Sequence, residues 1–323
     1  MSPLLSGTAF ALAAGLMWGL VFVAPLMLPE YPPALLAVGR YLAFGLICLP
    51  LALLDRADLR ALRRADWWEA TQLSAIGNFL YYLALAAAIQ RAGNPLVSVI
   101  IGTLPVVIAI SSNQRNAARD GKLPWQRLAP SLLAIGLGIA CVNQTEFAAV
   151  GAGHARRYAE GALIALVALA CWTWYPIRNA DWLRAHPDRN PRAWATAQGL
   201  VTLPMALLGL ALMLLLQRAG LAGLAADFAL PLGPQPLHFL ALMFAVGLFS
   251  SWAGTLCWNE ASQRLPTALV GQLIVFETLA ALAYGYLLRG AAPSAMALAG
   301  IALLVAGVVW ALRVKVAVVA GVH

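Results

Sequence analysis

Residues 6–28 read SGTAFALAAGLMWGLVFVAPLML, and residues 159–179 read AEGALIALVALACWTWYPIRN. Each is an apolar run of about twenty residues, the length an α-helix needs to cross a hydrocarbon core about 30 Å thick. Similar runs fill the chain, at 6–28, 34–54, 69–90, 94–113, 128–146, 159–179, 193–217, 237–260, 265–288 and 294–312. Inside a bilayer every backbone polar group must be satisfied within the protein, so such runs fold as helices. Composition agrees: 62% of the 323 residues are hydrophobic and 11% charged, against about 25% charged in a soluble domain. The expected fold class is an all-α membrane protein with ten transmembrane helices. No loop is long enough for a separate soluble domain, so any chemistry must lie among the helices. Met1 to Leu5 carry no basic side chain, so the first run reads as a retained helix rather than a secretory signal.

The two quoted runs also resemble each other. Gly7–Trp18 aligns with Gly161–Trp172 at an offset of 154, matching at Gly7/Gly161, Ala11/Ala165, Leu12/Leu166, Ala14/Ala168 and Trp18/Trp172. Ala88–Pro105 aligns with Ala261–Thr278 at an offset of 173, with Gln90-Arg91 over Gln263-Arg264. Such self-similarity marks an internal repeat. Five spans per half is an odd number, so the second copy enters the membrane from the opposite side. Two inverted five-helix repeats around a central cavity are a recurrent transporter design. The expected domains are a first repeat over 1–147, a periplasmic connecting loop over 148–158, and a second repeat over 159–323 with a short cytoplasmic tail.

Basic residues set the orientation. With the N-terminus in the cytoplasm, fifteen Lys and Arg fall in inside loops, among them Arg119, Lys122, Arg184, Arg192 and Lys315. Five fall outside, and Arg40 lies within the second run. This positive-inside bias predicts both termini in the cytoplasm. It also accounts for the net charge of +8 without a nucleic-acid partner; the lipid bilayer is the expected surrounding.

Glycine-rich first runs ending in Trp18 and Trp172, Arg40 following Pro32-Pro33, the pairs Leu104-Pro105 and Glu277-Thr278, and Gly138 and Gly307 in the closing helices make a pattern. It resembles the drug/metabolite transporter superfamily, EamA type, over nearly the whole chain. The pattern is most similar to the bacterial aromatic amino acid exporters of the YddG type. In the family a Glu-Pro or similar pair recurs in the fourth and ninth segments; here each half keeps one member. The resemblance implies a multi-pass protein of the bacterial inner membrane that exports small molecules through a central cavity. It also implies that segments one to four and six to nine line that cavity, while five and ten stand outside.

Several residues are candidates for the cavity. Asn78, Tyr81 and Tyr82 share a helical face by their i, i+3, i+4 spacing in the middle of the third segment. Facing lipid would leave their polar atoms unpaired, so the face should turn inward; cavity lining and interhelical hydrogen bonding both satisfy it. Trp172 and Tyr175 sit three apart in the sixth segment, and Trp18 matches Trp172 in the first. Ser251, Thr255 and Asn259 form an i, i+4, i+8 stripe beside Trp252, which reads as helix–helix glue or as cavity wall. Gln272 is a further polar candidate. Pro25, Pro105 and Pro176 are candidate hinges, because proline removes a backbone donor. Trp67, Trp68, Trp125 and Trp182 suit an interfacial belt, as does Trp258.

Arg40 and Glu277 lie within apolar runs. An ionisable residue at membrane depth is a functional candidate by default, although Arg40 is also placed where it can snorkel outward. The expected substrates are small amphipathic metabolites, above all aromatic and other neutral amino acids. Tyr82, Trp172 and Trp252 would sandwich the apolar side chain, and Asn78 with nearby hydroxyls would meet the zwitterion. A multidrug or other metabolite exporter of the same superfamily is the alternative. An intramembrane enzyme is a remote one, since Glu277 is the sole deep acid. Nucleotide sugars would want several deep cations.

No catalytic constellation, Walker loop or HExxH occurs, and no metal or cofactor is expected. The histidines, His154, His186, His238 and His323, lie in loops or at ends, and Cys48, Cys141, Cys171 and Cys257 read as small apolar residues within the runs. A monomer is expected, with an oligomer left open.

Overall fold

A computed structural model describes residues 2–115, 125–147, 155–221, 228–290 and 292–313. Among these residues the chain is all-helical and contains no strand. Arg119, Lys122 and Lys315 of the charge tally lie outside them, as does the expected connecting loop up to residue 154.

The helices are α1 (Pro3–Gly19), α2 (Ala24–Met27), α3 (Pro33–Leu54), α4 (Arg56–Arg60), α5 (Arg64–Gln72), α6 (Tyr81–Gly102), α7 (Leu104–Arg115) and α8 (Trp125–Phe147). There follow α9 (Ala155–Ala185), α10 (Pro191–Arg218), α11 (Pro236–Val246), α12 (Gly254–Arg264), α13 (Thr267–Leu273), α14 (Val275–Arg289) and α15 (Ala295–Arg313). Local sequence sets many of the ends. Pro3, Pro33, Pro191 and Pro236 stand at helix starts, where their missing N–H costs nothing. Gly290 ends α14 in the left-handed region (φ 60°). Gly93 (φ 80°) interrupts α6, a conformation that a residue with a Cβ resists, and there the chain passes from the third expected segment to the fourth.

Among the described residues, seven helical stretches are long and apolar enough to cross a membrane: Pro3–Met27, Pro33–Leu54, Arg64–Gly93, Arg156–Ala185, Pro191–Arg218, Pro236–Arg264 and Leu269–Leu288. Ala129–Cys141 and Ala295–Gly307 are shorter apolar helices, within the expected fifth and tenth segments. The expected fourth segment is split at Thr103, between α6 and α7. There the Thr103 hydroxyl donates to Ile100 O at 2.7 Å and Pro105 brings no N–H.

The distribution of polarity is that of a membrane protein. Leu53, Leu208, Leu237 and Leu287 are among the most exposed side chains, while Asn78, Gln198, Asn259 and Gln272 are buried. Helix pairs approach closely where glycine removes the side chain. At Gly199 a Cβ would run into Cys48 and Phe44, drawing α10 onto α3; at Gly138 it would meet Gly300 O, drawing α8 onto α15. Ser131 Oγ seals that second pair by donating to Gly307 O at 2.8 Å. The other main contacts are α1 with α12 and α14, α6 with α9, and α7 with α13.

Two helices change hydrogen-bond register inside the membrane. Leu73–Leu80, between α5 and α6, is π-helical, and so is Gly247–Ala253, between α11 and α12. Such bulges are frequent at functional sites, and these two carry the buried Asn78 and Ser251. A Cβ at Gly77 would collide with the Tyr175 ring. Gly77→Ala is therefore expected to cost about 1–3 kcal/mol by overpacking, read as a lower Tm of purified protein; an unchanged Tm would show that this contact yields freely.

Candidate functional site

The centre of the molecule is a cluster of aromatic rings. Trp172, from α9, stacks on Tyr81 (4.5 Å between centroids, 13°) and on Tyr175 (5.0 Å, 5°). Trp18, from α1, meets Trp172 edge-on at 4.9 Å and lies 4.9 Å from Trp258. Beside these rings, Arg40 of α3 is buried, with its guanidinium carbon 4.5 Å from the Tyr82 ring centre and 5.0 Å from that of Tyr41. Arg40 Nε donates to Ser251 Oγ at 2.9 Å. Glu277, in the first turn of α14, is buried too. Gly15 lets α1 come close there, since a Cβ on it would stand 3.0 Å from Glu277 N.

Most buried polar groups nearby are well paired. Tyr175 Oη donates to Gln198 Oε1 (2.9 Å), and Gln198 Nε2 donates to Asn179 Oδ1 (3.2 Å). Asn179 Oδ1 also accepts from Trp194 Nε1 (2.9 Å), and Asn179 Nδ2 donates to Asn259 Oδ1 (2.8 Å). The central set is different. Arg40 Nη1, Asn78 Nδ2, the hydroxyls of Tyr41, Tyr81 and Tyr82, Trp172 Nε1, Trp258 Nε1, Gln272 Oε1 and both Glu277 carboxylate oxygens have no hydrogen-bond partner among the described residues. A buried polar atom left unpaired costs about 1–3 kcal/mol. Native interiors hold few of them, and a concentration calls for an explanation. A polar ligand arriving between these groups is the chemistry that would satisfy them.

Both ends of the bundle are fastened. At the end bearing residues 55–63 and 186–190, Arg192 Nε and Thr196 Oγ1 each donate to Asp55 at 2.8 Å. Arg178 grips Glu69 through two bonds, 2.6 and 2.8 Å. The Trp182 indole donates to Asp66 (3.1 Å) and stacks on Trp194 at 3.5 Å. At the opposite end Tyr31 Oη donates to Leu232 O and accepts from Gln235 N, both at 2.8 Å, while its ring stacks on Phe239 at 5.0 Å. Burial raises the Tyr31 phenol above its ordinary value, so it stays protonated and keeps both bonds.

Comparison with known proteins places this architecture. Residues 5–114 match the EamA-like transporter family. The chain is 54% identical over 318 residues to the inner membrane protein YtfF of Escherichia coli (strain K12), covering 97% of this chain and 96% of that one. The chain belongs to the EamA-like transporter family. With its long apolar helices, this EamA-like protein is a multi-pass inner-membrane protein, and its family makes it a transporter rather than an enzyme. A protein of known crystal structure shares the fold with a TM-score of 0.69 at 18% identity, over 95% of this chain and 97% of that one.

The EamA-like bundle brings together Trp18, Arg40, Asn78, Tyr81, Tyr82, Trp172, Tyr175, Ser251, Gln272 and Glu277 as buried residues of its interior. Thr255 is buried and faces the Tyr175 hydroxyl. Trp252 is not in the ring stack: its indole points to Thr196 Oγ1 at 3.4 Å, toward the Asp55 end. Arg40 does not snorkel, because its Nε is held by Ser251. Pro25 and Pro105 stand beside helix breaks, at the starts of α2 and α7, whereas α9 runs unbroken through Pro176. Trp182 and Trp258 are buried partners of Asp66 and Trp18, not belt residues; Trp68 and Trp125 are exposed.

Sequence reasoning passed over Tyr41, Gln198 and Asn179. Tyr41 follows Arg40 directly, and adjacent residues do not share a helix face; only the tertiary fold brings its ring beside the guanidinium. Gln198 interrupts an apolar run, which was the signal available; Asn179 lies between Arg178 and Asp181 at the polar end of one, where it gave no signal.

Proposed function

We propose that this transporter exports aromatic and other neutral amino acids, with related small metabolites, from cytoplasm to periplasm by alternating access. One observation carries the reading: stacked aromatic faces and unpartnered polar atoms occupy the same buried place. Aromatic faces suit an apolar side chain, and a few donors and acceptors suit the polar end of the same molecule.

Ten spans in two inverted repeats, 1–147 and 159–323, are part of this proposal. The pattern of contacts supports it. Exchanging the halves turns the pair α1–α12 into α9–α6, and both pairs are in contact. The pairs α3–α10, α7–α13 and α8–α15 each map onto themselves, and each is in contact. The π-helical segments begin at Leu73 and Gly247, a separation next to the offset of the second repeated window. In the alternating cycle the Asp55, Glu69 and Asp66 bonds would release at one end while those of Tyr31 hold at the other, and then the reverse. The charge tally supports assigning the Asp55 end, and both termini, to the cytoplasm.

Counterflow of radiolabelled phenylalanine, tryptophan and leucine into proteoliposomes tests the function. Accumulation above protein-free vesicles, competed by the other two, is expected. Transport of a lipophilic cation without transport of any amino acid would replace this reading with multidrug export.

A further inference from the structure

We propose that Arg40 and Glu277 are the two poles of a clamp for a zwitterion, Arg40 taking the substrate carboxylate and Glu277 its ammonium, with the Tyr81–Trp172 stack between them receiving the side chain. The inference rests on the amino acid reading above and deepens it, by naming the charge pattern the site selects and the residue that meets each charge.

Three observations carry it. First, both side chains are more than nine-tenths buried, Arg40 at 4% and Glu277 at 2% exposure, yet Arg40 Nη1 and both Glu277 oxygens have no hydrogen-bond partner among the described residues. A guanidinium and a carboxylate in the same apolar interior would satisfy each other if they met. Kept apart, they leave a guanidinium and a carboxyl group to be answered by a molecule that carries both an acid and an amine. Second, Arg40 is oriented. Ser251 holds its Nε, and the Tyr82 and Tyr41 rings lie 4.5 and 5.0 Å from its guanidinium carbon, so the remaining planar edge is preset for a bidentate carboxylate. Third, Glu277 faces the Trp172 indole and takes on no helix-capping task. An acid in the first turn of a helix can cap backbone amides, but neither of its oxygens does so.

A zwitterion between these poles leaves the buried site electrically balanced, whereas a bare amine or a bare acid satisfies one pole and strands the other. Selection is therefore by both charges together, and not by the aromatic ring alone.

Titration calorimetry on purified full-length protein separates the possibilities with three ligands of one ring. Phenylalanine carries both charges, 2-phenylethylamine only the ammonium, and 3-phenylpropanoate only the carboxylate. Phenylalanine is expected to bind at least about tenfold more tightly than either partial ligand. Glu277→Gln should weaken phenylalanine and the amine while sparing the acid. Arg40→Gln should weaken phenylalanine and the acid while sparing the amine. Equal binding of all three by the unmodified protein would overturn the clamp and leave the aromatic reading standing, and that comparison needs no variant to fold. Equal loss of all three ligands in both variants would make the charges structural and overturn it as well. Binding of none of the three would overturn the amino acid reading itself, and the clamp with it.

Discussion

Trp172→Ala is expected to reduce amino acid flux in proteoliposomes to less than about a tenth of wild type, because one ring supports three others. Trp172 stacks on Tyr81 and Tyr175 and takes the edge of Trp18. Removing it opens a void at the meeting point of α1, α6 and α9 and frees Tyr81 to change rotamer. Large-to-alanine changes of this kind cost about 3–5 kcal/mol of stability, so flux must be normalised to folded protein. Trp172→Phe separates the two effects: a ring is kept, Tm should stay close to wild type, and a substantial part of the flux should return. Wild-type flux in Trp172→Ala at equal folded protein would remove the ring stack from the transport path.

The second large effect is an asymmetry at the fastened end. Asp55 and Arg192 are partners, but their side chains are 0% and 46% exposed. Deleting the arginine leaves a buried carboxylate with the Thr196 hydroxyl as its remaining side-chain bond, and an uncompensated buried charge costs about 3–5 kcal/mol. Deleting the carboxylate leaves a guanidinium that reaches water, and Thr196 keeps its bond to Arg192 O at 3.0 Å. That loss is closer to one hydrogen-bonded contact, about 1–2 kcal/mol. Arg192→Ala should therefore lower Tm clearly more than Asp55→Ala, and adding Asp55→Asn to Arg192→Ala should restore part of the loss. Equal shifts in the two single variants would mean that Asp55 is hydrated at this end. The bond from Trp252 to Thr196 links the π-helical segment that carries Ser251 to the residue beside this ion pair.

Much of the interior was legible before folding because a bilayer penalises polarity. Arg40, Asn78, Gln272 and Glu277 stand out in apolar runs, and each is buried. Aromatic residues were harder to place, because an indole suits both a membrane interface and a packed interior. Trp68 went to the surface as expected; Trp182 and Trp258 went inside, where Asp66 and Trp18 receive them. The π-helical segments were not legible at all. Their wider turns shift every later side chain around the helix, so the i, i+4 stripe at Ser251 and Thr255 did not foretell that Trp252 would turn away from the rings.

By itself, the order of residues determined the helical class, the membrane location and the identity of the deep charges, because each follows from local composition and the cost of exposing polar groups to lipid. Only the tertiary structure decided which rings stack, which charges pair and which stay unpaired. Those depend on angles and approaches set by glycine contacts and helix breaks between segments far apart in the chain, and no local rule carries that information.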